Sequence, residues 1–173
     1  MEIWFQDEAR VGQKGSLSYM WAPVGSRPLM VRDNRHETAY IFGAICPARG
    51  VGAAIITPTV SGECMSLHLE EISTQVPQDT IAVVICDGAG WHQIGSKLKV
   101  PDNIVLLPLP PYAPELNPME NVWDYLRANK LSTGIWDDYT EIVEACVEAW
   151  NWFVNDSKRI RSIGSRDWAT VNP

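Results

Sequence analysis

Three carboxylates in this 173-residue chain stand where acidic side chains can do chemistry: Asp7, Asp87 and Glu120. Asp7 ends a strand-like run. Asp87 follows directly on the apolar segment Val83-Val84-Ile85-Cys86, and Glu120 falls in the first turn of a helix entered through a proline-rich stretch. Ligand and metal sites of open α/β sheets gather at the carboxyl ends of strands, which is where Asp87 would sit. Hard cations such as Mg²⁺ take one or two carboxylates and keep their other positions for water and phosphate oxygens. Two such ions, roughly 3.5–4 Å apart, can clamp the attacking and leaving oxygens of an in-line phosphoryl displacement. Three acids from distant parts of one chain therefore predict a metal-dependent phosphoryl-transfer site.

Each acid also has a purely structural use. Asp7 fits a strand-end turn, and Asp87-Gly88 is a common turn dipeptide. Asn117-Pro118-Met119-Glu120 reads as N-cap, N1, N2 and N3 of a helix, a variant capping box in which Glu120 would reach back to the Asn117 amide. On a helical wheel, however, Glu120 lies beside the apolar stripe, with Asp124 and Arg127 on its flank.

The elements that must position these acids follow from periodicity. Residues 2–8 alternate as a strand, with Ile3, Phe5 and Asp7 on one face. Residues 15–22 predict a second short strand. Residues 39–46 and 52–57 predict two more, joined by the hairpin-length Pro47-Ala48-Arg49-Gly50. Ser61 can cap a helix in which Met65, Leu69, Ile72 and Val76 recur on one face, ending near Pro77. The β-branched run 80–86 reads as a central strand covered on both faces, and 104–109 as a similar, shorter one. Met119, Val122, Trp123 and Leu126 give the helix after the prolines its apolar stripe. A last long helix spans about 137–154, with Tyr139, Ile142, Val143, Cys146, Val147, Trp150 and Phe153 buried and Glu141, Glu144 and Glu148 in water. Antiparallel strands, then helix–strand–strand, then closing helices predict an α/β fold of ribonuclease-H-like order, a mixed sheet flanked by helices.

Composition sets the outer limits. Apolar residues are 46% and charged residues 20%, which excludes disorder and collagen-like repeats. No apolar run approaches the ~20 residues of a membrane span, and no secretory signal opens the chain, so a cytoplasmic protein is expected. Cys46, Cys64, Cys86 and Cys146 form no C-x-x-C pair and read as reduced thiols. The net charge of −7 is the wrong sign for gripping nucleic acid by overall charge.

The wording around the three acids adds a resemblance. Leu109-Pro110-Pro111-Tyr112-Ala113-Pro114-Glu115-Leu116-Asn117-Pro118-Met119-Glu120-Asn121-Val122-Trp123 resembles the stretch carrying the last catalytic acid of DDE transposases, in the IS630 branch of the Tc1/mariner superfamily. Phe5-Gln6-Asp7-Glu8-Ala9 is similar to that family's first-aspartate motif, and Tyr19-Met20-Trp21-Ala22-Pro23-Val24-Gly25 to the turn that follows it. Ile85-Cys86-Asp87-Gly88-Ala89-Gly90-Trp91-His92 resembles the second-aspartate motif. Thirty-two residues separate Asp87 from Glu120, slightly fewer than is familiar in the superfamily, and Gly88 stands where relatives often carry Asn.

The resemblance implies a single DDE catalytic domain over residues 1–173, in which Asp7, Asp87 and Glu120 bind two divalent ions, Mg²⁺ or substituting Mn²⁺. It implies hydrolysis of phosphodiester bonds at transposon ends and transfer of the freed 3′ hydroxyl into target DNA. Double-stranded DNA is the implied partner, with a homodimer and a nucleoid-associated setting. The family's N-terminal helix-turn-helix domain is absent from the sequence, so a separately encoded recognition part is a further expected partner. His92, Arg127, Lys97 and Lys99 are candidates for contacts near the acids or the DNA, and Arg27, Arg32, Arg35, Lys158, Arg159, Arg161 and Arg166 for phosphate contacts. For any one of the basic residues a solvated surface is the readier explanation, and for His92 a structural place in its loop competes. Two other readings compete: an inactive remnant that only binds DNA or oligomerises, and a ribonuclease-H-like nuclease without strand transfer.

Overall fold

The computed structural model describes residues 1–13, 23–26, 36–88, 98–111, 113–131 and 135–169. Five strands run in chain order: β1 (Glu2–Gly12), β2 (Thr38–Cys46), β3 (Val51–Thr57), β4 (Ala82–Cys86) and β5 (Ile104–Pro108). Helix α1 (Gly62–Gln75) lies between β3 and β4. Helices α2 (Met119–Leu126), α3 (Tyr139–Val154) and α4 (Ser157–Gly164) follow β5. The sheet order is β3-β2-β1-β4-β5. β1–β2 and β2–β3 pair antiparallel, β1–β4 and β4–β5 parallel. This is the ribonuclease-H-like mixed sheet expected from the pattern. The strand expected at 15–22 lies outside the described residues.

Alternation along β1 and β4 divides the core in two. Trp4, Phe42, Val84 and the α1 residues Met65, Leu69 and Ile72 fill one side. Phe5, Ile41 and Ile85 meet α2 and α3 through Val122, Trp123, Cys146, Trp150 and Phe153 on the other. Ser61 caps α1 as expected, its hydroxyl accepting from the Cys64 N–H at 3.1 Å. The four cysteines are free thiols. Among the described residues, no helix is long and apolar enough to cross a membrane.

Several expectations need correction. β1 continues to Gly12, so Asp7 sits mid-strand; what ends nearby is the β1–β4 ladder, at Phe5 and Ile85. β5 is not a covered strand like β4. It is the sheet edge, and its Val105 and Leu107 remain 52% and 49% exposed. On α3 the buried position is Ala149 rather than Val147, which is 44% exposed. The drift of a 3.6-residue period moves Val147 out of the stripe over three turns. Helix α4, which lacks a long apolar pattern, is set by Asp156, whose carboxylate accepts from the Lys158 and Arg159 N–H groups.

Candidate active site

Asp7 is the centre around which the site is built. In the β1–β4 ladder each β1 residue faces the β4 residue eighty positions later, ending with Phe5 and Ile85. The ladder stops two residues short of Asp7, and Asp87 follows β4 directly, at its carboxyl end. Side chains two apart along a strand share a face, so Asp7 points to the side of Phe5 and hence of α2. Asp87 is exposed.

Helix α2 is tied to this strand at two points. Asn117, 5% exposed, donates from Nδ2 to the Gln6 carbonyl at 3.0 Å, while its Oδ1 accepts from the Met119 N–H at 3.1 Å. One turn on, the Trp123 indole N–H donates to Asp7 Oδ2 at 2.8 Å. Room for that indole comes from Gly43, the β2 residue opposite Asp7. A Cβ there would stand 2.7 Å from Trp123 Cη2 and 2.9 Å from the Trp150 ring.

The capping box that competes with a catalytic role for Glu120 does not form. A short 3₁₀ turn, Pro114–Leu116, precedes α2, and the Asn117 N–H donates to Pro114 O at 2.9 Å. That amide is the partner Glu120 would have needed. The Glu120 carboxylate stays exposed in the first turn of α2, near enough to Asp7 for its charge to act there. Replacing Asn117 by Ala should lower stability by roughly 1–3 kcal/mol, because a buried carbonyl and an amide N–H each lose a partner. Chemical denaturation at unchanged m-value measures it.

Electrostatics single out the same carboxylate. Burial pushes the Asp7 carboxyl up to about 7, and the negative charges of Glu8 and Glu120 act in the same direction. The Trp123 indole and the Glu8 backbone N–H oppose the rise. An acid so placed holds its charge at neutral pH only at a cost that a nearby cation would remove. The donors are carboxylate oxygens, the chemistry that Mg²⁺ and Mn²⁺ select. Among the described residues no three His, Cys, Asp or Glu side chains are already drawn around one ion position. The fit is one of donor type and charge.

The comparisons with known proteins bear on this arrangement. A family model described as "DDE superfamily endonuclease" matches residues 2–143, which include all three acids. The chain belongs to the DDE superfamily endonucleases. It is 53% identical over 131 residues to an uncharacterized protein, y4pE/y4sA, of Sinorhizobium fredii, a match covering 76% of this chain and 96% of that one. Its fold resembles the catalytic domain of Mos1 mariner transposase, with a TM-score of 0.62 at 15% identity over 94% of this chain and 74% of that one. The Mos1 paired-end complex with Mn gives 0.69 at 16% identity, over 94% of this chain and 51% of that one. The chain thus spans about half the length of the Mos1 chain in that complex.

The remaining candidate residues separate by position. His92 and Lys97 lie outside the described residues, as do Arg27, Arg32 and Arg35. Lys99 is exposed on the α1 side of the sheet, its backbone N–H bonded to Ser66 Oγ at 2.9 Å. Arg127 shares the α2 flank with Asp124, as the helical wheel indicates, and pairs with it at 3.1 Å. Three of the C-terminal cations do structural work. Arg159 lies 4.0 Å from the Trp152 ring centroid and donates to Trp152 O at 2.6 Å. Arg161 donates to Arg49 O at 2.8 Å, at the end of the sheet where β4 begins rather than ends. Arg166 donates to Ile163 O at 3.1 Å. Lys158 is exposed.

Asn117 and Trp123 carry site contacts that periodicity assigns only to a cap and to the core. The signal available for Trp123 is its spacing: three residues after Glu120, it shares that residue's side of the helix.

Proposed function

We propose that this chain is the catalytic domain of an IS630-type transposase, cleaving phosphodiester bonds at transposon ends and joining the freed 3′ hydroxyl to target DNA. The observation that carries the reading is a desolvated carboxylate, Asp7, with Glu120 acting on it from α2 and Asp87 following directly on β4, in a chain of the DDE endonuclease family.

Asp7, Asp87 and Glu120 would hold two divalent ions, Mg²⁺ or Mn²⁺. Bound there, the ions would neutralise phosphate charge, activate the attacking water or hydroxyl and stabilise the leaving oxygen. The chain's own contribution is placement. On this reading β1 and the end of β4 would carry two of the carboxylates, and the Asn117 and Trp123 bonds would hold the helix that carries the third. Rigid placement matters because phosphoryl transfer is catalysed mainly by positioning and charge stabilisation. Arg127, Lys97 and His92 are the groups we assign to DNA near the acids, and Lys99, on the α1 side, is left to DNA further along the duplex. End recognition belongs, on this reading, to a separately folded helix-turn-helix part, and the working form is a homodimer on nucleoid DNA. The chain alone then binds DNA weakly and with strong salt dependence.

Retention of all three acids favours an enzyme over an inert remnant. Supercoiled plasmid carrying an element end tests this directly. The expected result is nicking in Mg²⁺ or Mn²⁺ that EDTA stops, and joined products when a pre-cut end is supplied. Cleavage without joining would make the chain a nuclease, and no cleavage in either metal would leave the remnant.

A further inference from the structure

We propose that Trp123, seated over Gly43, is a positioning residue for Asp7: its indole N–H holds Oδ2 and so fixes the orientation in which the carboxylate meets a divalent cation. The inference rests on the functional reading above and adds to it a residue outside the acidic triad.

Four observations meet at this contact. Trp123 is 2% exposed, and an indole N–H can only donate, so burial requires that it find an acceptor. Its acceptor is Asp7 Oδ2 at 2.8 Å, a hydrogen bond to a carboxylate and therefore among the strong ones. Gly43, paired with Asp7 across the β1–β2 ladder, is the position where any side chain would strike the indole, at 2.7 Å from its Cη2. Trp150 backs the same ring at a centroid distance of 6.1 Å, so the indole has little freedom to swing away.

A core-filling role accounts for the ring alone. Phe would supply comparable apolar area without a buried donor to satisfy. The N–H adds a fixed orientation of one carboxylate, and because Trp123 and Glu120 lie three residues apart on α2, the bond also sets the distance between two acids of the site. Groups that orient metal-binding side chains in this way typically change metal affinity by 10–100-fold when removed.

The test compares the native chain with Trp123→Phe, which keeps a ring and removes the donor, and Gly43→Ala, which keeps the donor and displaces the ring. Mn²⁺ affinity is read from the free-Mn²⁺ EPR signal, alongside the metal concentration that half-saturates DNA nicking, the KM for DNA and the thermal midpoint. Both variants should bind Mn²⁺ roughly tenfold more weakly, with half-saturation shifted in parallel and the KM for DNA unchanged. In the native protein the indole ¹⁵N–¹H resonance that Trp123→Phe deletes should move when Mg²⁺ is added. A lowered midpoint with native Mn²⁺ affinity would show a purely structural tryptophan and overturn the proposal. Should Trp123→Phe fail to fold, Gly43→Ala with native affinity would overturn it. Absence of Mn²⁺ binding by the native chain would overturn both this inference and the functional reading, whereas native binding unaltered in both variants overturns this one alone.

Discussion

Asp7→Asn should unfold at higher temperature than the native chain at pH 8 in EDTA, while losing all metal-dependent cleavage of DNA. The sign follows from linkage. The folded-state carboxyl titrates near 7 against an ordinary value of 3.8, so the folded protein binds the proton more tightly than the unfolded one. The stability this confers is complete below about pH 4. It is lost as pH rises from there to about 7, after which the ionised group is a fixed burden. At 1.36 kcal/mol per unit the burden reaches roughly 4 kcal/mol at pH 8. Asparagine stays neutral throughout, and its Oδ1 can still accept from the Trp123 indole. The variant should therefore gain on the order of 10 °C at pH 8 and almost nothing at pH 4. Calorimetry at the two pH values measures the difference. Saturating Mg²⁺ should raise the native midpoint and leave the variant unmoved. A variant less stable than the native chain at pH 8 would contradict the burial of charge at Asp7.

Asp87→Asn and Glu120→Gln should each cost on the order of 10³-fold in nicking rate, about 4 kcal/mol of transition-state stabilisation. Neither should move the unfolding free energy by more than about 0.5 kcal/mol, because both side chains are exposed. Single-turnover nicking at saturating metal, read beside urea denaturation, separates the two quantities. The contrast with Asp7 is the informative part: one acid opposes folding and two do not. Equal losses of activity and stability at Asp87 would instead assign it to turn formation at the end of β4.

Most of the frame that carries these acids was legible in the sequence, because its central strands are apolar runs set off by turn residues and buried over most of their length in β2 and β4. Residues 39–46 and 52–57 fall within one residue of β2 and β3, and Ser61 marks the start of α1. Edges were less legible. β5 reads as a core strand since Val105 and Leu107 are as apolar as their neighbours, and only the strand order exposes them. The motif around Glu120 gave the helix and its stripe but not the bonds that matter most. Asn117 looks like a cap, and its Oδ1 does accept from the Met119 N–H, but the bonds of its Nδ2 to Gln6 O and of its backbone amide to Pro114 O are not announced by a cap pattern. Trp123 reads as core by period, and it is core; the direction of its N–H depends on Asp7 and Gly43, from two strands far away in sequence. Hydrogen bonds between distant segments leave no periodic trace. The carbonyl contacts of Arg159 and Arg161, to Trp152 and Arg49, have no sequence signal for the same reason.

The most direct test of the account is a crystal of the native chain soaked in MnCl₂, with anomalous scattering used to place the metal. The expected result is density roughly 2.0–2.2 Å from a carboxylate oxygen of Asp7 and from one of Asp87 or Glu120, with a second ion roughly 3.5–4 Å away when a DNA end is bound. Well-ordered Asp7 with no anomalous peak beside it, or manganese bound only elsewhere on the surface, would contradict the claim that these three acids form a metal-dependent phosphoryl-transfer site.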